Sequence, residues 1–373
     1  MKKIRGLACA IAALLCLNTF SAYAGNINID EDSTVVPVPK VNAAYEELVD
    51  NIQYRYGDNY SLSNFSYSIS NVERNQDNLL VDIDITADMM LTQHPDNNLY
   101  LQSMKNAVAT VENKDAKSKL NEILDNQISD IENLYYMKPD RTAFLYTVEI
   151  DPTDPSGYKL FYRADFENVE RVPFEKMYKE SLTLAQAQAK AQSDLNQLLE
   201  SVTAELNATN SVQYDRLQAR QYALDHATDV PEFSRANGQG SDCANFVSKC
   251  LNYGGLPIDR TGGWYPSSDG TTATCGVNWM RTGYYNNGGV VPYMTGEGYF
   301  YYQTVESMVF AGSIMYQTNS SHVMITTYGD TAVIKYAQHS NVQLSSTNAI
   351  KEFNVGSCPV PVKYYMPNNS ILA

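Results

Sequence analysis

Residues Leu79 to Met89 alternate in character: Leu80, Asp82 and Asp84 are set against Val81, Ile83 and Ile85, a period of two that predicts a β-strand. Phe65 to Val72 shows a similar alternation, and Asn75-Gln76-Asp77-Asn78 between the two runs predicts a hairpin. The period then lengthens. From Leu99 to Tyr136, residues such as Leu120, Ile123, Leu124, Ile128 and Ile131 recur at helical spacing and predict one long helix. Thr142 to Ile150 and Tyr158 to Phe166 return to strand, with Pro152, Pro155 and Gly157 turning the chain between them. Phe174 to Leu206, rich in Ala, Gln and Leu, predicts a second long helix, and Ala43 to Arg55 a short one ahead of the hairpin. Together these elements make a small α+β N-terminal domain over 41–206. It offers no nucleophile, metal cluster or Gly-rich loop, and its lone His94, beside Pro95, reads as surface.

The pattern breaks at Asn207-Ala208-Thr209-Asn210-Ser211, which marks a domain boundary before a second unit over 212–373. A helix over Val212 to His226 comes first, with His226 as a favourable charge at its C-terminus. Gly240-Ser241-Asp242-Cys243-Ala244-Asn245-Phe246-Val247-Ser248 then opens another helix. Ser241 and Asp242 are both N-cap residues, and Gly254-Gly255 supplies the stop. Phe246, Val247, Cys250 and Leu251 stand three, four, seven and eight positions after Cys243, so the cysteine shares the apolar face. A thiol in a first helical turn lies near the positive end of the dipole, which favours the nucleophilic thiolate. The alternative is a small buried hydrophobe. Asp259 to Tyr293, carrying Trp264 and Trp279, reads as a long loop packed over a site or forming one.

Histidine chemistry follows. His322 opens the β-branched run Val323-Met324-Ile325-Thr326-Thr327-Tyr328, Gly329-Asp330 makes a turn, and Thr331 to His339 returns. A two-residue loop pairs Tyr328 with Thr331, Ile325 with Ile334 and Val323 with Tyr336. That register places His339 on His322's face as a diagonal neighbour and turns Gln338 the other way. A helix-start cysteine, a strand-start histidine and a polar third group form the layout of Cys–His nucleophilic catalysis. Two exposed strand-end histidines, or a zinc site from Cys243, His322 and His339, are the competing interpretations.

Composition changes the setting more than the fold. Lys2, Lys3 and Arg5 precede an apolar run from Leu7 to Leu17, and Ala22-Tyr23-Ala24 makes a cleavage site, so 1–24 reads as a secretory signal peptide and 25–40 as a flexible leader. No later segment is long and apolar enough to span a bilayer. Removing the signal takes three of the 27 Lys and Arg and none of the 42 Asp and Glu, which moves the formal charge from −15 to −18. That argues against nucleic acid or an anionic membrane as partner. Four cysteines remain, 243, 250, 275 and 358, too few for a disulfide scaffold; Cys250 reads as packing and Cys275 with Cys358 as a candidate clasp.

Asp242-Cys243-Ala244-Asn245-Phe246-Val247-Ser248, followed by Leu251 and Gly254-Gly255, resembles the DC-x-NFVS signature of an amidase domain family related to the NlpC-type and CHAP papain-like hydrolases. Tyr214 to Ala227 resembles its opening helix, Trp264 and Trp279 its tryptophan-bearing segment, and His322-Val323 with Tyr336-Ala337-Gln338-His339 its closing strands. Gly312-Ser313-Ile314-Met315-Tyr316 resembles the strand before the catalytic histidine, departing at Ser313, where aspartate is usual. The resemblance covers about 212–365. It implies an α+β, papain-like C-terminal domain with Cys243 as nucleophile, His322 as base and His339 as the orienting group, Asn341 or Gln338 being other claimants. The oxyanion would be met by the Cys243 amide with Asn237 or Gln239. No cofactor is implied.

The expectation is therefore a secreted cysteine-dependent amide hydrolase acting on peptide or peptidoglycan bonds, with the bond cleaved, the oligomeric state and the leading domain's role left open. A surface-binding protein that has lost activity, and an acyltransferase on the same fold, are the alternatives.

Overall fold

The computed structural model describes residues 36–372 apart from 58, 155–156, 164–170, 175–181, 206–211, 235–237, 240, 284–287 and 359. The signal segment, most of the leader and the 207–211 boundary lie outside the described residues. Helix α1 (Val38–Tyr56) begins before the leader was expected to end. Pro39 sits in its first turn, where the missing N–H costs nothing because that donor has no helical partner anyway. Strands β1 (Tyr60–Asn75) and β2 (Asn78–Leu91) form the expected hairpin around Gln76-Asp77, longer at both ends than the alternation alone predicts.

The single long helix expected from Leu99 to Tyr136 is instead two, α2 (Leu99–Ala109) and α3 (Lys114–Asp130), followed by a wide turn at Ile131–Tyr135. The break is local chemistry: the Asn113 side chain accepts from the amides of Asp115 and Ala116 and so starts a new helix. β3 (Pro139–Ile150), β4 (Tyr158–Arg163) and β5 (Arg171–Pro173) complete an antiparallel sheet in sequential order β1-β2-β3-β4-β5. α4 (Leu184–Glu205) packs on α2, with Ala187, Ala191, Leu195, Leu198 and Val202 inward.

In the second half come α5 (Arg216–His226), capped by Asp215, then α6 (Cys243–Tyr253) and α7 (Val290–Gly296). β6 (Phe300–Gln303), β7 (Ile314–Gln317), β8 (His322–Gly329), β9 (Val333–Ala337), β10 (Ile350–Asn354) and β11 (Val362–Pro367) form a second antiparallel sheet in the order β10-β9-β8-β7-β11-β6. One face, with Val323, Ile325 and Ala337, closes over α5, α6 and the two tryptophans. The other, with Met315, Met324, Ile334 and Tyr336, forms its own core with Phe310 and Phe353. The fold is mixed α+β with antiparallel sheets throughout.

The two halves meet at buried polar contacts. Tyr60 donates to Asp330 in the β8–β9 turn, Lys335 reaches Thr142 at 2.6 Å, and Gln127 donates to the Gly329 carbonyl at 2.8 Å. Arg216, at the start of α5, makes a two-pronged pair with Asp130 at 2.6 and 2.7 Å, its guanidinium lying over the Phe310 ring. Gly312 lies against it at φ +85°, where a Cβ would meet the Arg216 Cβ at 2.6 Å.

A charge left behind in such a place is expensive. Arg216→Ala should destabilise the protein by roughly 3–5 kcal/mol, whereas Asp130→Leu with Arg216→Met should lose clearly less, because no charge is stranded. Urea denaturation of the three proteins checks both statements.

Candidate active site

Helix α6 begins at Cys243, and its mouth is organised by the carboxylate before it. Asp242 holds the N-cap position but does not cap; its side chain turns away from the first-turn amides. Oδ1 accepts from the Phe233 amide at 3.1 Å and from Asn245 Nδ2 at 2.8 Å, and Oδ2 is 2.7 Å from His339 Nδ1. The N-cap expectation for Asp242 is thus corrected, with a chemical consequence. Asp242 leaves the amides of the first turn to other acceptors, at the end of the helix where an oxyanion would be favoured.

Each polar residue of the cysteine motif has a traceable task. Asn245 Oδ1 accepts from Trp279 Nε1 at 2.7 Å, which fixes its amide so that Nδ2 donates to Asp242 and to Glu232. Phe246 stacks flat on the His339 ring, 4.1 Å between centroids. Ser248 donates to the Trp279 carbonyl and accepts from Trp264 Nε1. Trp264 and Trp279, expected over the site, are fully buried, touch each other and donate to Ser248 and Asn245 of α6, so they buttress the helix.

His339 is placed differently from the expectation. Its Nδ1 faces Asp242 and its Nε2 the carbonyl of His226, the last residue of α5, so both nitrogens are occupied away from His322. The group beside His322 is Gln338, with Oε1 at 2.9 Å from Nε2. The reason is register. β8 pairs Ile325 with Ala337 and Thr326 with Tyr336, with an irregularity between Thr326 and Tyr328, instead of Ile325 with Ile334. Beyond that irregularity the slip is three residues, an odd number, so the side chains of the returning strand change face relative to the His322 end of β8. Gln338 takes the diagonal place, and His339 goes to the α6 side. With both its nitrogens engaged, His339 is also removed as a zinc ligand in this arrangement. Among the described residues no group of three His, Cys, Asp or Glu side chains is placed to hold a metal.

The Gln338 amide settles its own orientation, and with it the state of the imidazole. Its Nε2 donates to the Asn348 carbonyl at 2.7 Å, so Oε1 must be the atom that faces His322. An amide oxygen only accepts; His322 Nε2 therefore carries the proton, and in the neutral ring the lone pair is on Nδ1. His322 is buried, as is Cys243. Asp242 N donates to the Ser340 carbonyl at 3.3 Å, so the mouth of α6 and the start of β8 converge on the same short stretch, 338–340.

Of the oxyanion and substrate claimants, Asn237 lies outside the described residues. Gln239 is part-buried, and its Nε2 donates to the Gly270 carbonyl at 3.3 Å, leaving its second N–H for another acceptor. Asn341 accepts from its neighbour Ser340 at 3.0 Å. No disulfide joins the four cysteines; the candidate clasp fails because Cys275 belongs to the α6 core and Cys358 packs on the core of the other face. Sequence reasoning missed the tasks of Asn245 and Phe246 and underweighted Gln338. The parity of the hairpin register was the signal that would have found the last.

Residues 213–354 match the family described as Putative amidase domain, a span that starts just before α5 and ends with β10. No curated protein and no solved structure matches the chain. Among the described residues no helix is long and apolar enough to cross a membrane.

Three thiols are held in the protonated form. Burial pushes Cys250 well above the ordinary thiol value, Cys275 to about 11 and Cys358 to about 12. Near pH 8 fewer than about one in a thousand of these is thiolate, so iodoacetamide should label Cys243 first. Mass spectrometry of timed digests measures this, and equal rates at all four positions would count against a distinct role for Cys243.

Proposed function

We infer that residues 213–354, an amidase domain by their match, act as a papain-like cysteine amide hydrolase, with Cys243 as nucleophile, His322 as acid–base and Gln338 as the group that orients it. The observation that carries this is the polarity of the Gln338 amide, which fixes the imidazole with its lone pair on Nδ1. Supporting it is the chain order of helix-start cysteine, strand-start histidine and next-strand amide, the order of the NlpC-type and CHAP hydrolases that the motif resembles. His322 and Gln338 lie on the opposite sheet face from His339, so thiol and imidazole would meet around the end of the strand, beside 338–340. The leading signal segment fits export, and peptide or peptidoglycan amides are the substrates an exported enzyme would meet.

The reaction would run in two halves. The Cys243 thiolate adds to the amide carbonyl, and the oxyanion is met by the amides at the α6 mouth, with Gln239 Nε2 as a second donor. His322, protonated, gives its Nδ1 proton to the leaving nitrogen as the C–N bond breaks, leaving a thioester. Water then gives a proton to Nδ1 as it adds to the thioester carbonyl, and the C–S bond breaks to restore the thiolate.

Incubation of the protein lacking 1–24 with purified peptidoglycan should produce new amino termini that mass spectrometry identifies. Cys243→Ala should abolish the release by about 10³-fold or more, and its persistence in that variant would defeat the mechanism. Gln338→Ala should lower kcat by roughly 10–100-fold with little change in KM, since it frees the ring without touching substrate. Dibromoacetone, which bridges a thiol and an imidazole in close contact, should join Cys243 to His322. A cross-link elsewhere would exclude the pairing.

A further inference from the structure

The site leaves one buried histidine unused. Both ring nitrogens of His339 face atoms that accept, Asp242 Oδ2 at 2.7 Å and the His226 carbonyl at 2.8 Å. A neutral imidazole has one N–H and would set a lone pair against one of those oxygens. Moving the proton to Asp242 does not solve this, because its carboxylate already accepts from the Phe233 amide and from Asn245, and a third donor at Oδ2 completes the ionised form. The arrangement is satisfied only when His339 carries both protons and Asp242 none. Two charges then cancel inside a site where His339 is 7 % and Asp242 2 % exposed.

We propose that His339 is a buried imidazolium whose charge cancels that of Asp242 at the mouth of α6, so that Cys243 ionises beside a neutral pair instead of beside a carboxylate. The proposal rests on the reading of Cys243 as nucleophile. The carboxylate is on the residue adjacent to the thiol, and an uncompensated negative charge there disfavours thiolate. The motif builds the compensation in. Phe246 covers one face of the imidazolium ring, and Asn245, locked by Trp279, holds the carboxylate in line with it. His339 is a positioning and charge-balancing residue; it touches neither substrate nor the reacting sulfur in this scheme.

The surrounding charges leave the pair as the local determinant. On α5 the His226 ring is paired with Asp229 at 2.7 Å. Beyond Asn245, Glu232 is paired with Lys249 at 2.6 Å. From the sheet, the neighbours Gln338 and Ser340 are uncharged.

Two variants separate charge from shape. In His339→Gln the carboxylate is stranded, and the pH profile of Cys243 alkylation by iodoacetamide should move up by about one pH unit, or roughly tenfold slower labelling below the midpoint. Adding Asp242→Asn to His339→Gln removes both charges and should bring the midpoint back. An unshifted profile in the single variant, or the same shift in both, overturns the proposal. In the unsubstituted protein, ¹⁵N-histidine NMR at about pH 7.5 should show both His339 nitrogens protonated, and one protonated nitrogen would overturn it even if the variants fail to fold. None of these readouts needs a substrate. Failure to release amines from peptidoglycan would therefore sink the hydrolase reading while leaving this one standing.

Discussion

The carboxylate of Asp242 is the constraint from which the site follows. It gathers a backbone amide from the segment before α6, an amide side chain from within α6 and an imidazole from beyond β9. Hydrogen bonds to a charged group contribute about 1.5–3 kcal/mol each, against roughly 1 for neutral ones, so three on one buried carboxylate outweigh a single helix-cap bond. That balance explains why a residue with ideal capping chemistry does not cap. The same choice leaves the Asp242 carboxylate off the first-turn amides of α6. Capping and the His339 contact compete for one carboxylate here, and the His339 contact prevails.

Much of this was legible from local pattern. The cysteine at a helix start, the strand opened by His322 and the antiparallel α+β character all follow from spacing and residue type, because each is decided within a dozen residues. What was not legible is decided at longer range. The break at Asn113 is a capping event inside an unbroken apolar period, and periodicity does not register it. Trp264 and Trp279 occur in a Gly-rich stretch that resembles a surface loop, yet each indole N–H has a buried acceptor on α6, and those acceptors, Ser248 and Asn245, are visible only once the helix is packed.

The exchange of Gln338 for His339 is the sharpest case, since the same hairpin without the irregularity between Thr326 and Tyr328 would have given the opposite answer. Gly329-Asp330 reads locally as a tight turn. In the fold, Asp330 Oδ1 accepts from the amides of Ala332 and Val333, Thr331 takes φ +77°, and the wider turn displaces the return strand by four residues before the irregularity between Thr326 and Tyr328 makes the displacement odd. A β-branched residue in that conformation needs outside support. It comes from the first half of the chain: Asn98 donates to the Thr331 hydroxyl at 3.1 Å, while Tyr60 and Tyr328 both donate to the other Asp330 oxygen.

That places the leading half in a definite physical relation to the site, because it supports both ends of the β8–β9 hairpin. At the turn end it supplies Tyr60 and Asn98, and at the other end Asp84 accepts from Thr347, next to the Asn348 carbonyl that holds the Gln338 amide. Between those ends the pairing shifts by one residue at the irregularity between Thr326 and Tyr328, so the parity at the turn alone does not decide which side chain stands beside His322. Lys335, buried and bonded to Thr142 on β3, holds the return strand on the turn side of that shift. The residues that decide which side chain stands beside His322 therefore include several that belong to the other sheet. A segment outside 213–354 can thus be part of what makes the site while carrying none of its chemistry.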